Sequence, residues 1–293
     1  MSDLRTSSPL APVDFVATDV RLRASSGATA DGAHHPGPAA SPLPPLSALN
    51  ELRPDPDLLK GRDVVGFRSN SAVSRPFNLL RIQITEACER EGLVVLGVVS
   101  AVPHEGKSFM AANIAAAISR LPQVEVCLLD LDLRRPSIAG LFGIEADRGL
   151  ESYLQGEEAN LAQVGWRVVG TNLSIFPTVA PIADVAGALR GARFEGLIAS
   201  FKAKAASPRI VLCDLPPVFV GDDAMTVAKH LDGYIHVVGS GTSTTRQFEE
   251  LRRLLKDTHC LGTVLNRYIG GPFDPYGYGG NSKAYDGYFS DPD

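Results

Sequence analysis

The stretch Leu93–Ser100 reads Leu-Val-Val-Leu-Gly-Val-Val-Ser and runs directly into Ala101-Val102-Pro103-His104-Glu105-Gly106-Lys107-Ser108. No other feature narrows the possible folds as much. A continuous β-branched apolar run suits a strand buried on both faces, as in a parallel sheet. The eight residues after it fit the Walker A phosphate-loop pattern with alanine at its first position, and the apolar periodicity that follows predicts a helix over 107–120. Strand, loop and helix in that order turn backbone N–H groups and a helix N-terminus toward phosphate oxygens. Lys107 is expected to reach the β- and γ-phosphates of ATP, and the Ser108 hydroxyl to ligate magnesium. Pro103, His104, Glu105, Gly106, Lys107, Ser108 and Phe109 are therefore the candidate nucleotide-contacting residues. Two of them are unusual. His104 stands where glycine is common, and a positive φ there costs a histidine on the order of 1 kcal/mol. Phe109 stands where a second hydroxyl is common and is expected to pack inward.

The alternation continues downstream. Strands are expected at Val124–Leu129, Leu173–Phe176, Ile210–Cys213, Gly233–Val238 and Gly262–Leu265. Helices are expected at 194–205, 222–230 and 246–257. In the last of these Phe248, Leu251 and Leu255 should face inward, and Glu249 and Arg253 should form a solvated i,i+4 pair. Strands alternating with helices imply an α/β fold, a P-loop NTPase-type parallel sheet with helices on both faces.

The chain ends do not share this texture. Residues 1–70 are rich in Pro, Ala and Ser and read as a disordered leader, in which the adjacent His34 and His35 are expected to be solvated. Residues 71–268 form the expected ATP-binding domain, and 269–293 a flexible tail. The stretch from Tyr268 onward holds Tyr268, Tyr276, Tyr278, Tyr285 and Tyr288, five of the seven tyrosines in the chain.

The four cysteines, at 88, 127, 213 and 260, are too far apart for a zinc knuckle or a CxxC pair, and Cys127 and Cys213 lie in apolar runs that suggest core positions. A net charge of -5 without a basic block argues against nucleic acid as a partner. The run Leu93–Val102 is about half the length of a spanning helix, and no signal peptide is expected. A soluble cytosolic protein is implied, reaching a membrane only through a partner.

Two acidic elements complete the candidate site. Val126-Cys127-Leu128-Leu129-Asp130-Leu131-Asp132-Leu133-Arg134 places two aspartates at the C-terminal end of a buried strand, on one side of the extended backbone. One carboxylate can hold magnesium and the other can take a proton from an incoming hydroxyl. Arg134 is placed to pair with either, or with a phosphate. Ile210-Val211-Leu212-Cys213-Asp214-Leu215-Pro216-Pro217 has the Walker B form, with Asp214 expected on the magnesium. Asp222 and Asp223 are expected to cap the next helix.

Together these elements resemble the bacterial tyrosine kinases (BY-kinases) of capsule and exopolysaccharide synthesis. An apolar run followed by DxDxR is matched by Asp130, Asp132 and Arg134, and one followed by DxPP by Asp214, Pro216 and Pro217. The likeness extends to Arg134–Ser137, Gly149–Leu154, Asp223–Met225 and Val264–Arg267. It implies that Lys107 and Ser108 hold phosphates and magnesium, and that Asp132 and Asp214 organise the metal. Asp130 would be the base toward a tyrosine hydroxyl, and Asn266 and Arg267 would sit near adenine. Tyr276, Tyr278, Tyr285 and Tyr288 would be autophosphorylation sites, used between subunits of a homo-oligomer. A membrane chain-length (co-polymerase) protein would be the activator, holding the kinase at the inner face of the plasma membrane. The ExxRxxR ring helix of that family is altered here: Arg75 replaces the acid, Asn78 replaces an arginine, and only Arg81 is kept. Pro177–Arg193 also lacks the Asn-Pro and acidic residues of the pattern. Two other readings stand beside the kinase. One is a MinD/ParA-like switch ATPase, although Val102 occupies the place of the second loop lysine usual in that group. The other is a catalytically weak nucleotide-binding regulator of export.

Overall fold

Period-two burial along the strands sets the architecture. In Val95–Ser100 every residue is buried, and successive side chains enter opposite cores. Val95 and Val99 join one cluster with Cys127, Leu129, Val211 and Cys213. Leu96 and Val98 join the other with Val126, Leu128, Ile210 and Leu212. A sheet with two apolar faces must be covered on both.

The computed structural model describes residues 43–69 and 71–268. In chain order the elements are β1 (Asn50–Leu52), α1 (Pro56–Gly61), α2 (Arg75–Glu91), β2 (Val95–Ser100), α3 (Lys107–Ile118), β3 (Glu125–Asp130), α4 (Ile138–Phe142), α5 (Leu150–Gln155) and α6 (Leu161–Val164). They continue with β4 (Trp166–Val168), β5 (Leu173–Phe176), α7 (Val185–Arg190), α8 (Ala192–Lys202), β6 (Arg209–Asp214), α9 (Asp223–Ala228), β7 (Gly233–Gly239), α10 (Thr245–Leu254) and β8 (Cys260–Asn266). The eight-stranded sheet has the order β1-β4-β5-β3-β6-β2-β7-β8. All its pairs are parallel except β4 with β5, which run antiparallel, so the sheet is the P-loop NTPase-type parallel sheet expected from sequence with one antiparallel pair toward an edge.

Helix α3 carries buried residues from Met110 through Ile118 without a break, since it lies between the sheet and α2. Phe109 packs inward as expected, edge-on to Phe77 of α2 with ring centroids 5.8 Å apart. All four cysteines are free thiols, and Cys127 and Cys213 are core residues. Leu251 of α10 and Leu255 at its C-cap are buried, while Phe248 is half-buried and stacks on His236. Arg253 pairs with Glu250, one turn position nearer than the expected Glu249.

The boundary expected at residue 70 also moves. Residues 46–61 contain a 3-10 turn, the edge strand β1 and α1. The buried Asn113 of α3 then anchors the connection: its Oδ1 accepts from the N–H groups of Val65 and Gly66, and its Nδ2 donates to the Asp63 carbonyl. Gly66 is required at that point, because a Cβ there would lie 2.2 Å from the Asn113 carbonyl oxygen. Residues 1–42, with His34 and His35, and the tail from 269, with Tyr276, Tyr278, Tyr285 and Tyr288, lie outside the described residues. Among the described residues no helix is long and apolar enough to cross a membrane.

Candidate nucleotide site

The C-terminal ends of β2, β3 and β6 meet at the middle of the sheet, where ligands of open α/β sheets bind. The loop 101–106 leaves β2 there and opens α3. His104 takes φ 65° and Gly106 φ 90°, so the left-handed backbone that a histidine tolerates poorly is present. Gly106 has a second constraint, since a Cβ would lie 2.1 Å from Asn266 Nδ2.

Lys107 is largely buried, with Nζ 2.9 Å from Asp132 Oδ2 and 3.9 Å from Asp214 Oδ1. Burial alone would lower its pKa, but Asp214 and Asp132 outweigh burial and hold it above the ordinary lysine value. The Ser108 hydroxyl lies 3.4 Å from the same Nζ. The cation and hydroxyl of the phosphate loop thus meet the acidic strand ends, as the motif chemistry requires.

Asp130 and Asp214 are register partners across β3 and β6, and both are fully buried. Burial, reinforced by each like-charged neighbour, raises both pKa values; Asp214 reaches about 6, against the downward pull of Lys107. The two carboxylates are nevertheless used differently. Asp130 Oδ2 accepts from the N–H groups of Ser137 and Ile138, and Oδ1 from that of Asp132, so it holds the loop into α4. Both Asp130 oxygens thus already accept backbone N–H groups, and the side chain has no exposure. By geometry neither oxygen of Asp214 accepts a hydrogen bond among the described residues, although Lys107 and the Ser108 hydroxyl lie close enough to favour its charged form. Two orphaned buried oxygens beside a phosphate-loop lysine and serine fit a magnesium ion. No group of three or more His, Cys, Asp or Glu among the described residues is arranged as a metal cage.

Arg134 departs from its expected partners. Its guanidinium forks onto Asp223, Nε to Oδ2 at 2.6 Å and Nη2 to Oδ1 at 3.3 Å, rather than onto Asp130 or Asp132. The capping role expected for Asp222 and Asp223 is likewise corrected. The Asp222 side chain makes no cap hydrogen bond to α9 and pairs with Arg190 instead. Asn266 is buried and donates to the Glu105 carbonyl, while its Oδ1 accepts the Arg267 N–H. Arg267 is exposed and takes φ 60°. Pro103 and His104 are exposed at the loop tip. Sequence reasoning missed the two buried carboxylates of Asp223 and Glu105 as organising groups; an acid inside a phosphate loop and an acid at a helix start both look like ordinary surface residues.

A phosphate loop at the central strand, a lysine on two carboxylates and a Walker B aspartate define a P-loop NTPase. Residues 94–255 match the family model described as ParA, NUBPL iron-transfer P-loop NTPase, and the chain belongs to this family. The Bacillus subtilis tyrosine-protein kinase YwqD is 27% identical over 227 residues, covering 76% of this chain and 94% of that protein. The tyrosine-protein kinase wzc of Salmonella typhimurium is 28% identical over 249 residues, covering 80% of this chain but only 33% of the longer relative. The crystal structure of the chimerical protein CapA2B2 has the same fold, with a TM-score of 0.63 at 22% identity, over 77% of this chain and 95% of that one.

Proposed function

We propose that this chain is an ATP-dependent protein-tyrosine autokinase that regulates capsule or exopolysaccharide polymerisation and export. The observation that carries the reading is the meeting of Lys107, Asp132 and Asp214, whose oxygens accept no hydrogen bond of ordinary geometry, at one sheet edge. The curated relatives named tyrosine-protein kinases support it.

Ser108, Asp132 and Asp214 would hold the magnesium, which when bound neutralises charge on the transferring phosphoryl group. Lys107 would turn from Asp132 to the β- and γ-phosphates. Asn266 and Arg267 would border the adenine. The tyrosine oxygen attacks the γ-phosphorus, the bond to the β-γ bridging oxygen breaks, and ADP leaves. Asp130 is the proposed acceptor of the hydroxyl proton, which requires the Ser137–Ile138 turn to release its Oδ2 as the tyrosine enters. The acceptor tyrosines would be Tyr276, Tyr278, Tyr285 and Tyr288 of a neighbouring copy, and the activator a membrane chain-length protein at the inner face of the plasma membrane. α2 turns Leu79 and Ile82 outward, apolar positions suited to a contact between copies.

Incubation with MgATP and the activator, followed by phosphate mapping by mass spectrometry, tests this reading. Phosphotyrosine at Tyr276–Tyr288 that vanishes in Asp130→Asn is expected. The ParA-type family match favours a second reading, a nucleotide-dependent switch ATPase. ATP turnover without phosphotyrosine in the presence of the activator would select it.

A further inference from the structure

The phosphate loop contains a carboxylate that the chemistry above does not use. Glu105 is completely buried within the loop itself. Its Oε2 accepts from the N–H groups of Ala101 and Val102, at 3.0 and 3.1 Å. Its Oε1 accepts from the Gly239 N–H at 2.9 Å and the Ser243 hydroxyl at 2.6 Å, with the Thr242 hydroxyl 3.2 Å away. Its backbone carbonyl accepts from Asn266 Nδ2 at 2.8 Å. One residue therefore joins three segments: the loop leaving β2, the loop from β7 into α10, and the end of β8.

Burying a carboxylate beneath a site for a polyanion is electrostatically unfavourable. Among the described residues Glu105 has no ion pair to offset it; its charge is met by amide and hydroxyl dipoles, which form strong charge-assisted hydrogen bonds. Such a group rigidifies what it binds. Here it closes the turn at Ala101–Val102 from inside and holds the left-handed backbone at His104 and Gly106. The loop N–H groups would then be aimed at the phosphates before any ligand arrives, which removes an ordering cost from binding.

We infer that Glu105 is a positioning residue that welds the phosphate loop to the Gly239–Ser243 loop and to Asn266, so that the nucleotide site is set in advance by the β7 and β8 strand ends. This goes beyond a contact role for Glu105 in the phosphate loop, and it rests on the reading of the loop as a nucleotide site.

The test is MgATP affinity measured by titration calorimetry on the whole chain, alongside thermal melts. Glu105→Gln keeps the volume but turns an NH2 group toward one pair of donors. About a tenfold loss of affinity is expected. Ser243→Ala, which leaves the loop sequence intact, should weaken affinity severalfold in the wild-type background and have little further effect in Glu105→Gln. Kinetically the loss should fall on the KM for ATP with kcat little changed, the mark of an ordering cost on binding. Lys107→Met is the control. If the wild-type chain binds no MgATP, the nucleotide reading fails. If the wild type binds and Glu105→Gln binds equally well, the inference fails. A melting temperature lowered with unchanged affinity overturns it too, as does an additive Ser243→Ala effect. Should Glu105→Gln not fold, Ser243→Ala and Thr242→Val in the folded protein decide the matter, and unchanged affinity in both overturns it.

Discussion

The ammonium of Lys107 lies 2.9 Å from the carboxylate of Asp132, inside hydrogen-bond range of a group expected to serve magnesium. On the function proposed above, the lysine and the magnesium would compete for the same carboxylate. The lysine cancels part of the repulsion among Asp130, Asp132 and Asp214, and it should be displaced toward the phosphates when MgATP enters.

Lys107→Met therefore has two expected effects. MgATP binding is lost, and the ligand-free protein is destabilised by about 1–3 kcal/mol at neutral pH, because buried carboxylates lose their cation. The stability loss should shrink on acidification, when a carboxylate takes up a proton instead. Urea unfolding at pH 5 and pH 7.5 measures both. An equal loss at the two pH values would argue against the cation's role among the carboxylates.

Asp214 gives a pH prediction whose sign follows from burial. Its folded-state pKa is raised from 3.8 to about 6. The protonated form is favoured by folding, so its contribution is complete below about pH 4 and disappears as pH rises through 6. Asp130, raised by the same burial, acts in the same direction. The ligand-free protein should melt at progressively lower temperature from pH 4 to pH 7. Asp214→Asn, which stays neutral, should melt several degrees higher than wild type at pH 7.5 and bind nucleotide without responding to magnesium. A lower melting temperature for the variant at that pH would contradict this account.

Asp223 is 3% exposed at its side chain and Arg134 is 46% exposed, so the two partners should respond unequally. Arg134→Ala strands a buried carboxylate and is expected to cost about 1–3 kcal/mol. Arg134→Lys should recover only part of that, because a single ammonium cannot fork onto two oxygens. A double-mutant cycle with Asp223→Ala should show a coupling of at least about 1 kcal/mol. Additive single effects would mean that the pair holds nothing.

At His104 the backbone conformation can be tested directly, since φ is 65°. His104→Gly should shift stability by less than about 1 kcal/mol, relief of strain offsetting the freer unfolded chain. His104→Ile, whose branched Cβ suits that region poorly, should cost about 1–2 kcal/mol and weaken MgATP binding. Calorimetric melts of the two variants provide the comparison.

Much of this arrangement was legible in the residues. The central strands are buried on both faces, so they read as apolar runs, and β2, β3, β5 and β6 lie within a residue or two of their expected limits. Lys107, Ser108, Asp132 and Asp214 converge because their motifs sit at the ends of those strands. Edge strand β1 was illegible for the opposite reason. Asn50-Glu51-Leu52 has one buried apolar residue, and its partner strand comes far later in the chain. Helices α4 to α7 are each only four to six residues long, too short to display a helical period. The pairing of Arg134 with Asp223, and the convergence on Glu105, join distant segments and leave no local pattern.

The edge strand β1 meets β4 only after the chain has passed through the phosphate loop and the Asp130–Asp132 strand end. Closing so long a loop is entropically costly, and three ladder positions return little for it. In kinetic terms β1 should be the last strand laid down and the first to lift off. It also lies at the far edge of the sheet from β8, so nucleotide that protects amides around Lys107 would leave those of Asn50–Leu52 exchanging at their ligand-free rate. The protein's susceptibility to a protease at this margin would then be independent of whether its nucleotide site is filled.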